Sequence, residues 1–108
     1  MRSKVLAAVV VVVLAGIAEA ASVEDYFNDA QERLQANEPK AAIIQLKNGL
    51  QEDPTHLPSR QLLGEIYLQQ GDGPSAEKEL RRAQALGGEA RYWEQPLAEA
   101  LLLQGKHK

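Results

Sequence analysis

From residue 23 onward, apolar residues recur at intervals of three and four with polar residues between them, which is the spacing of one face of an α-helix. In the stretch 62–70, positions 63, 67 and 70 lie on one side with 62 and 66 beside them, and Ala76, Leu80 and Ala83 form a further stripe. Turn-forming groups interrupt these stripes: Asn37-Glu38-Pro39, Asp53-Pro54, Gly71-Asp72-Gly73-Pro74 and Gly87-Gly88. Asn or Gly supplies the left-handed residue that ends a helix, and Pro opens the next one where its missing N–H costs nothing. Ser22 followed by Asp25 has the form of a capping box at the first helix start. The pattern predicts five helices, over about 24–36, 39–52, 57–70, 74–86 and 90–104. Pro96 removes a hydrogen bond from the fifth, which begins either at Ala90 or near Pro96.

The amino-terminal pattern is different. Met1-Arg2-Ser3-Lys4 is basic, and the thirteen residues from Val5 to Ile17 are uninterruptedly apolar. A helix crossing a bilayer needs about 20 apolar residues, so this run has the length of a signal-peptide core, and Ala18-Glu19-Ala20 provides the small-x-small cleavage pattern. The expectation is a signal peptide over 1–20 with cleavage after Ala20, which implies a periplasmic or secreted protein. An uncleaved leader anchoring the chain in the inner membrane is the alternative. Leu14-Ala15-Gly16 resembles the box that precedes a lipidated cysteine, but Ile17 follows it and the chain has no cysteine.

Shifting the chain against itself by thirty-four residues aligns Ala30, Gly64 and Ala98, then Leu34, Leu68 and Leu102, then Asn37, Gly71 and Gly105, with Ala42 on Ala76 and Leu46 on Leu80. These residues resemble the tetratricopeptide repeat, whose pattern runs W-x2-L-G-x2-Y and then A-x3-F, A and P. Leu63-Gly64-x2-Tyr67 with Ala76-x3-Leu80-x2-Ala83 matches it best; the first repeat has Gly49 in the usual Ala column and Arg33 where Tyr is usual. The resemblance implies an all-α solenoid of helix-turn-helix units, about two and a half repeats, over about 23–56, 57–90 and a partial 91–108. Small residues in columns 30/64/98 and 42/76 would let the helices of a repeat approach closely. Phrases such as Ala42-Ile43-Ile44-Gln45-Leu46 and Leu62-Leu63-Gly64-Glu65-Ile66-Tyr67-Leu68 are also similar to the amino-terminal repeats of the tetratricopeptide-repeat lipoprotein of exosortase/PEP-CTERM systems. That resemblance implies a role in envelope sorting or exopolysaccharide production.

Composition adds three constraints. The chain of 108 residues, 44% apolar and 25% charged, has room for one small domain whose core is built from Leu, Ala, Ile and Val. Without cysteine there are no disulfides and no thiolate chemistry. The net charge of −3 holds no long basic run that would favour nucleic acid; Lys78, Arg81 and Arg82 are offset by Glu77 and Glu79, with Glu77 and Arg81 an i,i+4 pair on a solvated face.

Nothing in the sequence points to catalysis, a cofactor or a small-molecule substrate. His56 and His107 stand apart from other ligand-type residues, the stripe Asp25, Asp29, Glu32 reads as a solvated face, and Gly71-Asp72-Gly73 is a helix–helix turn rather than a phosphate loop. What such repeats offer is a groove lined by the first helix of each pair. The partner-facing candidates are Phe27, Gln31, Leu34, Gln35, Gln61, Glu65, Leu68, Gln69 and Glu99, continued by Gln95, Leu102 and Leu103. Glutamines and carboxylates beside a leucine row suit a protein or peptide partner, although Leu34, Leu68 and Leu102 could equally pack against neighbouring helices. The last helix is apolar around most of its circumference, so the chain is expected either to be a truncated copy of a longer protein or to self-associate through that helix.

Overall fold

The structure, a computed structural model, describes residues 21–106; the expected leader over 1–20 and His107 lie outside them. The described residues form five helices and no strand: α1 (Val23–Gln35), α2 (Pro39–Glu52), α3 (Leu57–Gln69), α4 (Gly73–Ala85) and α5 (Ala90–Leu103).

Local chemistry sets the helix ends. Ser22 and Asp25 close a reciprocal capping box: the Asp25 amide donates to Ser22 Oγ and the Ser22 amide to the Asp25 carboxylate. Asp72 caps α4 by accepting from the Ser75 amide at 3.1 Å, and the hydrogen bonds from Ser75 hold its carboxyl below the usual value. Pro39, Pro58 and Pro74 occupy first-turn positions of α2, α3 and α4. At the other ends Asn37 (φ 60°), Gly71 (φ 76°) and Gly105 (φ 73°) take the left-handed conformation. In each case the next amide reaches back into the helix, Glu38 to Arg33, Asp72 to Tyr67 and Lys106 to Leu101, at 2.8–2.9 Å. The shared column of the thirty-four-residue shift is therefore one repeated turn.

Connections this short make successive helices antiparallel neighbours. α1 packs along α2, α3 along α4 and α4 along α5, with narrower contacts from α2 to α3 and from α3 to α5. Two core clusters result. Ala30, Ala42, Leu46, Leu50, Leu63 and Ile66 form the first; Ala76, Leu80, Leu97 and Ala100 form the second. Tyr67 packs against both. Leu46, Leu63 and Leu80 have no exposed surface, and burying each such leucine contributes about 1.5–3 kcal/mol. Gly64 shows why a small residue is needed at the crossing: a Cβ there would lie 2.7 Å from Leu80 Cγ.

Four expectations require correction. α5 starts at Ala90 and runs through Pro96, so the start near Pro96 is excluded. The turn ahead of the proline is held by Trp93, whose ring packs on the second cluster and whose Nε1 donates to Gly88 O at 2.8 Å, while Leu97 and Ala100 are buried behind it. Gln70 is not part of the α3 stripe but an exposed residue beyond the helix end. Ala98 is exposed although Ala30 and Gly64 in its column are buried, because no helix among the described residues covers that side of α5. Glu79, expected on a solvated face, is 5% exposed and paired with Arg60 across the α3–α4 contact at 2.8 Å.

Candidate functional site

The candidates all stand on α1, α3 and α5, the first helices of the successive pairs. On α1, Phe27 is half-buried against the first core cluster and meets the His56 ring edge-on with centroids 5.6 Å apart. Leu34 is half-buried on the same cluster, whereas Gln31 and Gln35 are exposed. On α3, Gln61 is half-buried beside Gly88, Glu65 and Gln69 are exposed, and Leu68 is half-buried against the second cluster. On α5, Glu99 is exposed and accepts from Gln95 Nε2 at 3.3 Å.

The leucine row is therefore divided. Leu34 and Leu68 are both half-buried, against the first and the second cluster respectively, whereas Leu102 and Leu103 are 58% and 54% exposed. Only part of the candidate set converges. Leu68 and Glu99, with Leu102 and Leu103, line a shallow, mainly apolar depression of about 410 Å³. Phe27, Gln31, Leu34, Gln35 and Gln61 are not among its lining residues. One turn before Leu68, Glu65 remains open to solvent, yet partial desolvation by its surroundings raises its carboxyl above the usual value.

This depression offers apolar area edged by carboxylate. Proton transfer would need convergent groups, and among the described residues no three His, Asp or Glu side chains gather into a metal-binding set. His56 is engaged structurally, its Nδ1 2.7 Å from Ser59 Oγ. The acidic stripe of α1 is used in packing as well as solvation: Asp25 caps the helix, and Asp29 accepts from Gln45 Nε2 at 2.6 Å and from Arg33 Nε at 3.4 Å. The hydrogen bond from Gln45, followed by that from Arg33, holds Asp29 below the usual carboxylate value.

A comparison with protein families matches residues 33–95, more than half of the chain, to the tetratricopeptide repeat. The chain belongs to the tetratricopeptide-repeat family. No curated protein and no solved structure matches it. Repeats of this family generally mediate protein–protein interaction and bind protein or peptide partners, and the five described helices are its helix-turn-helix units. No helix among the described residues is long and apolar enough to cross a membrane.

Sequence reasoning missed the Arg60–Glu79 pair. Arg60 also donates twice to Pro54 O, from Nε at 3.3 Å and Nη2 at 3.1 Å, and so ties the inter-repeat turn to α3 and α4. Lys78, Arg81 and Arg82 surround the pair in a depression of about 530 Å³. A signal was present: Arg60 stands in the repeat column that the family fills with tryptophan, and a cation in an interior column calls for a buried anion. Glu77 was also underestimated. Besides Arg81 Nε at 2.7 Å, it accepts from Gln104 Nε2 at 2.9 Å and Lys106 Nζ at 3.0 Å. These three donors push its carboxyl down to about 2.

Proposed function

We propose that this tetratricopeptide-repeat protein is a non-enzymatic scaffold of the bacterial cell envelope that holds a peptide segment along the face of α1, α3 and α5. The observation that carries this reading is the apolar depression of Leu68, Leu102 and Leu103 with Glu99 at its edge, and Glu65 and Gln69 standing open nearby on α3. A bound segment would bury an apolar side chain on the leucines and direct polar groups to Glu65, Gln69 and Glu99. On α1, Gln31 and Gln35 are exposed, and Phe27 and Leu34 are half-buried against the first core cluster.

The basic, apolar and Ala-x-Ala order of residues 1–20 supports delivery to the periplasm or beyond it. The resemblance to the lipoprotein of PEP-CTERM systems supports a part in envelope sorting or exopolysaccharide production. The alternative is a membrane-anchored structural subunit retained by an uncleaved leader, and amino-terminal sequencing separates the two: Ala21 means release and Met1 means anchoring.

Photo-crosslinking from position 102 in cells, followed by mass spectrometry, tests the groove. An envelope protein captured from position 102, and lost when Glu65 and Glu99 are both changed to alanine, supports it; equal capture from an α4 position on the opposite side refutes it. The exposed Leu102 and Leu103 favour a second reading, self-association through α5. Sedimentation across a wide concentration range that shows only monomer would dismiss it.

A further inference from the structure

The depression of about 530 Å³ at the α3–α4 contact is lined by Arg60, Lys78, Glu79, Arg81, Arg82 and Ala85. Lys78, Arg81, Arg82 and Ala85 recur at helical spacing, so they share one face of α4, and all four are exposed. Arg60 enters from α3. Four cations thus surround one carboxylate, in a chain whose net charge is −3.

The internal partners of these charges differ. Glu79 is covered and taken by Arg60 at 2.8 Å, and two further hydrogen bonds to Pro54 O fix the Arg60 guanidinium in place. Arg81 is drawn to Glu77 at 2.7 Å. Lys78 and Arg82 make no ion pair among the described residues. They stand four residues apart on α4, where two like charges destabilise a helix. An anion seated between them would relieve that repulsion.

Spacing and net charge select the anion. Lys78 and Arg82 are separated by about 6 Å of helix rise, and alternate side chains of an extended chain stand about 6.5–7 Å apart on one side. Carboxylates two residues apart in an extended segment therefore reach both cations. A nucleic acid calls for a longer basic stripe on a basic domain, and an acidic chain repels a long polyanion beyond the patch.

We propose that the Arg60–Lys78–Arg82 depression is a second interaction surface, which takes an extended acidic segment of a partner protein with Asp or Glu at alternating positions. One carboxylate meets Lys78 and the next Arg82, with the fixed Arg60 charge below them and Ala85, which has no side chain long enough to obstruct, at the end of the stripe. The surface is separate from the peptide groove, whose depression is lined by Leu68, Glu99, Leu102 and Leu103.

The test uses the whole chain and two fluorescein-labelled decapeptides, one alternating Glu with Ser and one alternating Gln with Ser. Fluorescence anisotropy should show binding of the Glu peptide alone, weakening as salt rises. Lys78→Glu with Arg82→Glu should weaken it about tenfold or more, and Lys78→Arg with Arg82→Lys should preserve it. A circular-dichroism melt checks that the reversed variant folds; if it does not, Lys78→Gln with Arg82→Gln should show the same loss. Lys40→Glu with Lys47→Glu, a control of equal charge change on α2, should leave binding within about twofold. No binding of the Glu peptide, or an equal loss in the α2 control, would overturn the proposal. So would a loss with Glu65→Ala and Glu99→Ala, which would place the peptide in the groove. Stronger competition by a single-stranded decanucleotide than by unlabelled Glu peptide would show a general polyanion site, and a dimer abolished by Lys78→Glu with Arg82→Glu would show that a second copy takes the surface; either result overturns it.

Discussion

Replacing Gly64 by alanine sets two effects of opposite sign against each other. In a helix interior alanine is favoured over glycine by about 0.8–1.0 kcal/mol, so at an open site the change would stabilise. Here the new Cβ would fall 2.7 Å from Leu80 Cγ and 2.8 Å from Cδ2. Cγ is the branch point of a side chain with no exposed surface, so relief requires moving Leu80 as a whole or separating α3 from α4. Overpacking of this kind costs about 1–3 kcal/mol, which exceeds the propensity gain. We expect Gly64→Ala to lose about 1 kcal/mol, lowering the thermal midpoint by about 4–8 °C. Urea unfolding followed by circular dichroism measures it, and a double-mutant cycle isolates the cause. In a Leu80→Ala background, itself costing about 2–5 kcal/mol, the same change should become stabilising by about 1 kcal/mol. The coupling is then about 2 kcal/mol. A stabilised single variant, or effects in the two backgrounds agreeing within about 0.5 kcal/mol, would refute the claim that the glycine exists to admit Leu80.

Arg60→Ala should destabilise by about 3–5 kcal/mol, because it leaves Glu79 covered without its cation; Arg60→Met with Glu79→Met should cost clearly less in the same unfolding experiment. Glu77 is held down to about 2 by Arg81, Gln104 and Lys106. Its folded value lies below the unfolded one, so its contribution is present above the ordinary carboxylate range and is lost as pH falls from there through about 2. A carboxyl titration by NMR should place its midpoint near 2, and Lys106→Ala should raise it; a midpoint at the ordinary value would show that the clip to the carboxyl end does not form. Pro96→Ala should raise the thermal midpoint, since the proline withholds a donor from Tyr92 O and costs about 3 kcal/mol in an interior turn; an unchanged midpoint would mean that α5 is already bent to avoid the clash.

The sequence alone determines where the first four helices begin and end, to within about a residue, and how the helices repeat. Turn chemistry is a local steric matter: Asn37, Gly71 and Gly105 tolerate a left-handed backbone wherever they occur, and Pro39 and Pro74 disfavour continuing the preceding helix whatever packs around them. The thirty-four-residue register follows from side-chain size recurring in columns, so the family and the helices that carry the candidate residues are legible without coordinates. Contacts between helices are another matter, because their partners are distant along the chain. Arg60 and Glu79, nineteen residues apart, each read as an ordinary surface charge until α4 lies on α3. The same holds for Gln45 on Asp29. Continuity through Pro96 was hidden for a related reason: a local rule against proline is overridden by Trp93 and Leu97 anchoring both sides of it in the second cluster. Only the tertiary structure divides the leucine column into half-buried Leu34 and Leu68 and exposed Leu102, and only it shows Ala98 uncovered by the other described helices. Burial depends on what lies opposite a residue, and that is a property of the assembled helices rather than of any one of them.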